Sequence, residues 1–221
     1  MKCLCVPGLA CASDIFEHAA RHLPEVELAF VDWPLPERLD SLDAAARWVG
    51  AQVDAVGAQA VLGHSLGGLA ALHLAVMEPR RRGLKRVIAD TFLAEPHPMF
   101  RNLVWDAPPV AKRVDAMLAR LRPKFPRLRA AAMAFEETAD WVDAALRSGA
   151  SFVYGGRGGG VSDRSLAIRA GIPPDATNPV AVVPGTGHFP MLEAPAAFYA
   201  HVRVGLGLSA APATLRGAAA S

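Results

Sequence analysis

The chemistry-bearing stretch of this chain is Gly63-His64-Ser65-Leu66-Gly67-Gly68. The apolar run Ala60-Val61-Leu62 precedes it, and a helix-like run from Leu69 to Met77 follows. Strand, Gly-x-Ser-x-Gly, helix is the setting of a nucleophile elbow. The turn is so tight that side chains at Gly63 or Gly67 would collide with the adjoining strand and helix. Ser65 projects from its tip, at a helix N-terminus, where backbone N–H groups favour developing negative charge. These residue types point to Ser65 as a nucleophile.

A serine hydroxyl needs a base within hydrogen-bond reach, and that base needs an orienting partner. Seven histidines are available. His64 lies inside the elbow, and its ring is expected to point away from Ser65. His73 lies two turns along the elbow helix, facing the core or solvent. His188 stands in the loop Pro184-Gly185-Thr186-Gly187-His188, directly after the apolar run 180–183. In a parallel α/β sheet, the loops after the strand C-termini form the active edge. Ser65 and His188 are therefore expected on one edge.

The elements that must position them alternate. Strands are predicted at residues 3–6, 26–31, 60–63, 86–89, 150–154 and 180–183. Helices are predicted at 13–23, 41–56, 66–78, 140–148, 162–170 and 194–205, from apolar spacing and caps such as Ser41. That alternation predicts a mostly parallel sheet of about six strands with helices on both faces. Residues 91–139 interrupt it with prolines and helical runs at 110–121 and 128–137, a candidate helical lid. Its basic residues, Lys112, Arg113, Arg120, Arg122, Lys124, Arg127 and Arg129, form a solvated helix face or select an anionic substrate. Residues 210–221 are alanine-rich without apolar periodicity and read as a frayed tail.

The 221 residues fit one domain, and 52% hydrophobic residues exclude a disordered chain. No apolar run reaches the roughly 18–20 residues of a membrane span. The stretch before Pro7-Gly8 is too short for a secretory leader, so a soluble cytoplasmic protein is expected. Lys plus Arg is 23 against 21 Asp plus Glu, a balance that gives no warrant for a nucleic-acid partner. Cys3, Cys5 and Cys11 read as reduced, buried thiols rather than metal ligands.

Three segments resemble the α/β-hydrolase superfamily, and the resemblance covers residues 2–206. Val6-Pro7-Gly8-Leu9 resembles its oxyanion loop, Gly63 to Gly68 its elbow, and Gly187-His188-Phe189-Pro190-Met191-Leu192-Glu193-Ala194-Pro195 its histidine loop and the start of the last helix. The resemblance implies Ser65 as nucleophile, His188 as general base and acid, and the backbone N–H groups of Leu9 and Leu66 as oxyanion donors. Glu193 reads as structural, a cap for the last helix. The acid departs from the pattern, because Gly158 stands where the family's turn aspartate belongs. Three alternatives remain: Asp90 at the end of the strand after the elbow helix, Asp163 beyond the glycine-rich loop, or no acid at all.

The expected activity is a serine hydrolase, carboxylesterase-like, acting on carboxylic esters or thioesters through an acyl-enzyme on Ser65. No metal or cofactor is expected. The partner is a small to medium acyl substrate, bounded by Leu9, Phe92, Leu93, Phe100 and Phe189. The alternatives are a C–C hydrolase or lyase on the same scaffold, and a small-molecule binding or signalling protein that keeps the pocket without turnover.

Overall fold

In this computed structural model, residues 1–34, 39–81, 83–95, 102–132, 135–157 and 163–209 are described. Among them, six strands form one wholly parallel sheet: β1 Lys2–Val6, β2 Glu27–Phe30, β3 Ala60–His64, β4 Lys85–Ala89, β5 Ser151–Gly155 and β6 Val180–Val183. Their order is β2-β1-β3-β4-β5-β6. The chain steps from β1 outward to β2, then returns past β1 and runs the other way. The crevice between β1 and β3 is therefore the topological switch point, where open α/β sheets place ligands. The register aligns the strand ends: Val6 lies beside Gly63, His64 beside Ala89, and Gly155 beside Val183.

Both faces of the sheet are covered, so the strand interiors are largely apolar, with charged or polar residues such as Lys2, Glu27, Lys85 and Ser151 at the strand starts. Leu4, Val6, Val61, Ile88, Phe152 and Tyr154 point to one core, and Cys3, Cys5, Leu62, Val87, Ala89 and Val153 to the other. The helices are α1 Ala19–His22, α2 Leu42–Val56, α3 Leu66–Met77, α4 Pro108–Leu121, α5 Pro126–Ala132, α6 Phe135–Leu146, α7 Asp163–Arg169, α8 Pro190–Glu193 and α9 Pro195–Gly205. The first core is closed by α2, α3, α6 and α7, and the second by α1, α4, α8 and α9. Ser41 starts α2 by accepting the Ala44 N–H at 3.2 Å, and Gly57 ends it at φ 66°. All three cysteines are buried and unpaired with one another as disulfides.

The expected helix at 13–23 is instead two short pieces, a 3₁₀ turn over Ser13–Phe16 and then α1. Ile15, Phe16, Ala19 and Leu23 are still buried. The periodicity therefore located the apolar face but not the continuity. Arg113 of α4 holds the break by donating to the Asp14 carbonyl at 3.0 Å. The second helical run of the 91–139 segment also differs: α5 ends earlier, and α6 runs without a break past residue 139. Trp141 of α6 packs on His73 of α3, with ring centroids 4.7 Å apart. The proposed tail at 210–221, together with Phe100 and Gly158, lies outside the described residues. Among the described residues, no helix is long and apolar enough to cross a membrane.

Candidate active site

Four non-glycine residues have positive φ among those described: Ala10 at 57°, Ser65 at 51°, Asp90 at 41° and Arg157 at 44°. Each lies in the loop just past the C-terminal end of β1, β3, β4 or β5. Such strain costs on the order of 1–3 kcal/mol per residue and clusters where function demands it. The sheet edge predicted from the sequence is thus where the backbone is most constrained.

Ser65 joins β3 to α3. Its N–H donates to the Ala89 carbonyl at 2.9 Å, and its own carbonyl accepts from Thr91 Oγ1 at 3.0 Å and from the Leu69 N–H at 3.0 Å. The elbow tolerates no extra atom. A Cβ on Gly67 would stand 2.4 Å from the Val6 carbonyl oxygen, and one on Gly63 would stand 2.6 Å from that of Gly67. As the first residue of α3, Leu66 has an N–H with no intrahelical acceptor. Beyond β1, the Cys11 N–H closes a turn onto the Gly8 carbonyl at 3.1 Å, leaving the Leu9 N–H outside that bond. The turn lies against the elbow: a Cβ on Gly8 would be 3.1 Å from Ser65 Cβ.

His188 follows β6. Its backbone N–H donates to the Leu103 carbonyl at 2.7 Å, and Nδ1 meets Asp90 Oδ2 at 2.5 Å. Asp90 is wholly buried just past β4. Its Oδ1 accepts from the Gly155 N–H and from Arg157 Nη1, each at 2.9 Å, and Arg157 Nη2 donates to Oδ2. Burial alone would raise the Asp90 pKa. The Arg157 charge, with hydrogen bonds from Arg157 and His188, outweighs burial and holds the carboxyl well below its usual range. An ionised Asp90 requires Nδ1 of His188 to carry the shared proton, which leaves Nε2 as an acceptor. Asp163 stands exposed in the first turn of α7. Of the two candidate carboxylates, the structure brings Asp90 to His188.

The bridge between elbow and histidine loop is His64. Its ring is fully buried, and Nε2 donates to the His188 carbonyl at 2.8 Å. The ring centroids of His64 and His188 are 4.6 Å apart. Burial, then the neighbouring His188, lower the His64 pKa to about 3, so this ring is neutral. His73 takes no part, because it bonds Asp43 at 2.6 Å. Phe92 stacks on His188 with centroids 5.7 Å apart.

Glu193 has a structural use, as expected, but not as a cap of α9. The start of α9 at Ala194 has no side-chain cap. Glu193 instead accepts the Gly187 N–H at 2.8 Å and the Trp105 N–H at 2.7 Å, tying the histidine loop to the segment after β4. Sequence reasoning also missed Arg157, whose only signal was a single charge in a run of glycines. A cavity of 270 Å³ opens beside the Leu9 turn, lined by Cys11, Trp33, Arg120, Leu121, Lys124 and Phe125 among others. Trp33 Nε1 donates to the Pro7 and Gly8 carbonyls at 3.1 and 3.0 Å, which fixes that wall to the turn. Among the described residues, no group of three His, Cys, Asp or Glu could hold a metal ion.

A serine on a strained turn, two N–H groups without a partner among the described residues, and a histidine oriented by a buried carboxylate can carry out acyl transfer. The sequence matches the model of the alpha/beta hydrolase family over residues 3–201. The chain belongs to the alpha/beta hydrolase family. Lipase LipV of Mycobacterium tuberculosis is 31% identical over 151 residues, 64% of this chain and 52% of LipV. The chain thus spans about half the length of that relative. Two solved structures show the same fold. A thermophilic esterase from Thermogutta terrifontis matches with TM-score 0.68 and 16% identity, over 94% of this chain and 89% of its own. The N-acyl homoserine lactonase AidH matches with TM-score 0.61 and 20% identity, over 94% and 90%.

Proposed function

We propose that this family member is a serine hydrolase that cleaves carboxylic esters or thioesters through an acyl-enzyme on Ser65. The observation that carries the reading is the Nδ1–Oδ2 contact of 2.5 Å between His188 and buried Asp90, on the edge that presents Ser65. His188 Nε2 takes the proton from Ser65 Oγ as it attacks the acyl carbon. The N–H groups of Leu66 and Leu9 receive the oxyanion. Such a donor is worth roughly 3–4 kcal/mol in related chemistry. His188 then returns the proton to the leaving alcohol or thiol. Water, deprotonated by the same nitrogen, hydrolyses the acyl-enzyme and frees Ser65. Asp90 orients His188 and offsets its charge without taking the proton.

The names of LipV, the Thermogutta esterase and AidH support an ester-type substrate. The described residues 102–132 serve in this reading as a lid, with the stretch 102–105 already tied to the histidine loop. The protein acts on a small molecule in the cytoplasm and needs no metal or cofactor.

The test is turnover of p-nitrophenyl esters of graded chain length by wild type, Ser65→Ala and His188→Ala. Wild type is expected to turn over the short to medium esters, with both variants near background. A wild type that hydrolyses none of them, or a Ser65→Ala variant that keeps full rate, overturns the reading.

A further inference from the structure

The loop after β5 contributes an arginine to the back of this site. The Arg157 side chain is 0% exposed, as is that of Asp90. Its guanidinium forks onto both carboxylate oxygens, with Nη1 also donating to the Gly155 carbonyl at 2.7 Å. Its backbone N–H donates to the Thr186 carbonyl at 2.8 Å, two residues before His188. Its Cζ lies 5.7 Å from the centroid of the Phe92 ring, the same ring that stacks on His188. One residue thus cross-ties the loops after β4, β5 and β6. The close approach is built in: a Cβ on Gly155 would overlap the Gly187 carbonyl oxygen at 1.8 Å.

We propose that Arg157 is a positioning residue: it locks Asp90 as an ionised acceptor and sets a buried positive charge behind it, so that His188 stays a proton acceptor at lower pH than Asp90 alone would allow. The inference rests on the catalytic reading above. Its physics is charge balance in a dry site. Asp90 by itself would draw a proton onto His188. Arg157 shares the same oxygen, Oδ2, and weakens that pull. When His188 becomes protonated opposite an oxyanion, the four charges on Arg157, Asp90, His188 and substrate sum to zero. Without Arg157 they sum to minus one in a buried setting, which is the costlier arrangement.

The other ionisable groups around His188 do not supply this charge. His64 of β3 is neutral. Tyr154 of β5 is buried, which raises its pKa, and its hydroxyl donates to the Thr91 carbonyl at 2.8 Å. Glu193 of α8 is engaged by two backbone N–H groups.

The experiment is an NMR pH titration of the His188 ring in wild type, Arg157→Met, Arg157→Gln and Arg157→Lys, with His188→Gln to assign the signal. Circular dichroism monitors folding of each variant. Removing the charge in Met or Gln is expected to move the titration midpoint upward by about one to two pH units, the size of a buried charge at roughly 6 Å and effective dielectric about 20–40. Arg157→Lys keeps the charge and is expected to stay close to wild type. Gln keeps a donor to Asp90, so it reads the shift if Met does not fold. A folded Met or Gln variant with an unmoved or lowered midpoint overturns the proposal and leaves Arg157 a structural tie. The titration needs no turnover, so it reports on Arg157 even if wild type hydrolyses no ester, a result that would end the hydrolase reading instead.

Discussion

Asp90→Asn changes one atom at the centre of the site, and the structure says which way the amide will turn. All four partners of the carboxylate are donors: the Gly155 N–H and Arg157 Nη1 on Oδ1, His188 Nδ1 and Arg157 Nη2 on Oδ2. An asparagine must aim its NH2 at one pair. Arg157 donates to both oxygens and so favours neither orientation; the Gly155 N–H has no lone pair to offer, whereas His188 can move its proton to Nε2 and accept on Nδ1. The amide therefore turns toward His188 and fixes the wrong tautomer, with Nε2 unable to take the Ser65 proton. The expected rate loss is about 10⁴. Stability falls as well, by about 3–5 kcal/mol, because Arg157 loses its buried counter-charge. That is a large part of the usual 5–15 kcal/mol. The two effects separate by measuring kcat/KM per folded molecule and the urea midpoint independently.

The same variant has a pH signature. The folded Asp90 pKa lies below the unfolded value of about 3.9. Its contribution to stability is therefore complete above that value and is lost as pH falls from about 4 toward the folded pKa. Asp90→Asn should lower stability at pH 7 and flatten the acid limb of the unfolding curve. A variant with full activity and an unchanged urea midpoint refutes the assignment of Asp90 and the charge argument with it.

Gly67→Ala places a methyl 2.4 Å from the Val6 carbonyl oxygen. It is expected to destabilise by about 1–3 kcal/mol and to cut ester turnover about 10²-fold by displacing Ser65; thermal melts and kcat check both. Glu193→Gln leaves one oxygen for two N–H donors, Gly187 and Trp105, and is expected to cost about 1–2 kcal/mol by urea titration. The cysteines should be inert in the native protein. Burial raises the Cys11 thiol to about 12, and the hydrogen bond with Cys3, then burial, raise that of Cys5. A thiol reagent at pH 8 should react slowly before denaturation and with all 3 thiols after it. Rapid native labelling would contradict this.

The elbow was legible because its geometry admits few residue types: Gly63 and Gly67 are set by contacts under 3 Å. The parallel sheet was legible because its strands are short, largely apolar runs without strict polar alternation, spaced by helical segments. His188 could be placed because glycines on a strand end mark a loop at the active edge. The third partner could only be narrowed to alternatives, since Asp90 and Asp163 both stand where a carboxylate has a local structural use. What separates them is burial and a partner 98 positions away, and neither is a property of local sequence. Arg157 was missed for the same reason. Within a glycine run it reads as a solvated charge, and only the fold shows that it meets Asp90. The helix expected at 13–23 failed where Arg113, far along the chain, takes the Asp14 carbonyl.

The nucleophilic role of Ser65 is tested most directly by trapping the acyl-enzyme. Wild-type protein mixed rapidly with p-nitrophenyl acetate and quenched in acid should show a burst of p-nitrophenol. Mass spectrometry of the digest should place one acetyl group on the Ser65 peptide. Ser65→Ala should show neither. A wild type that turns over the ester without a burst or adduct, or an adduct on another residue, contradicts the mechanism.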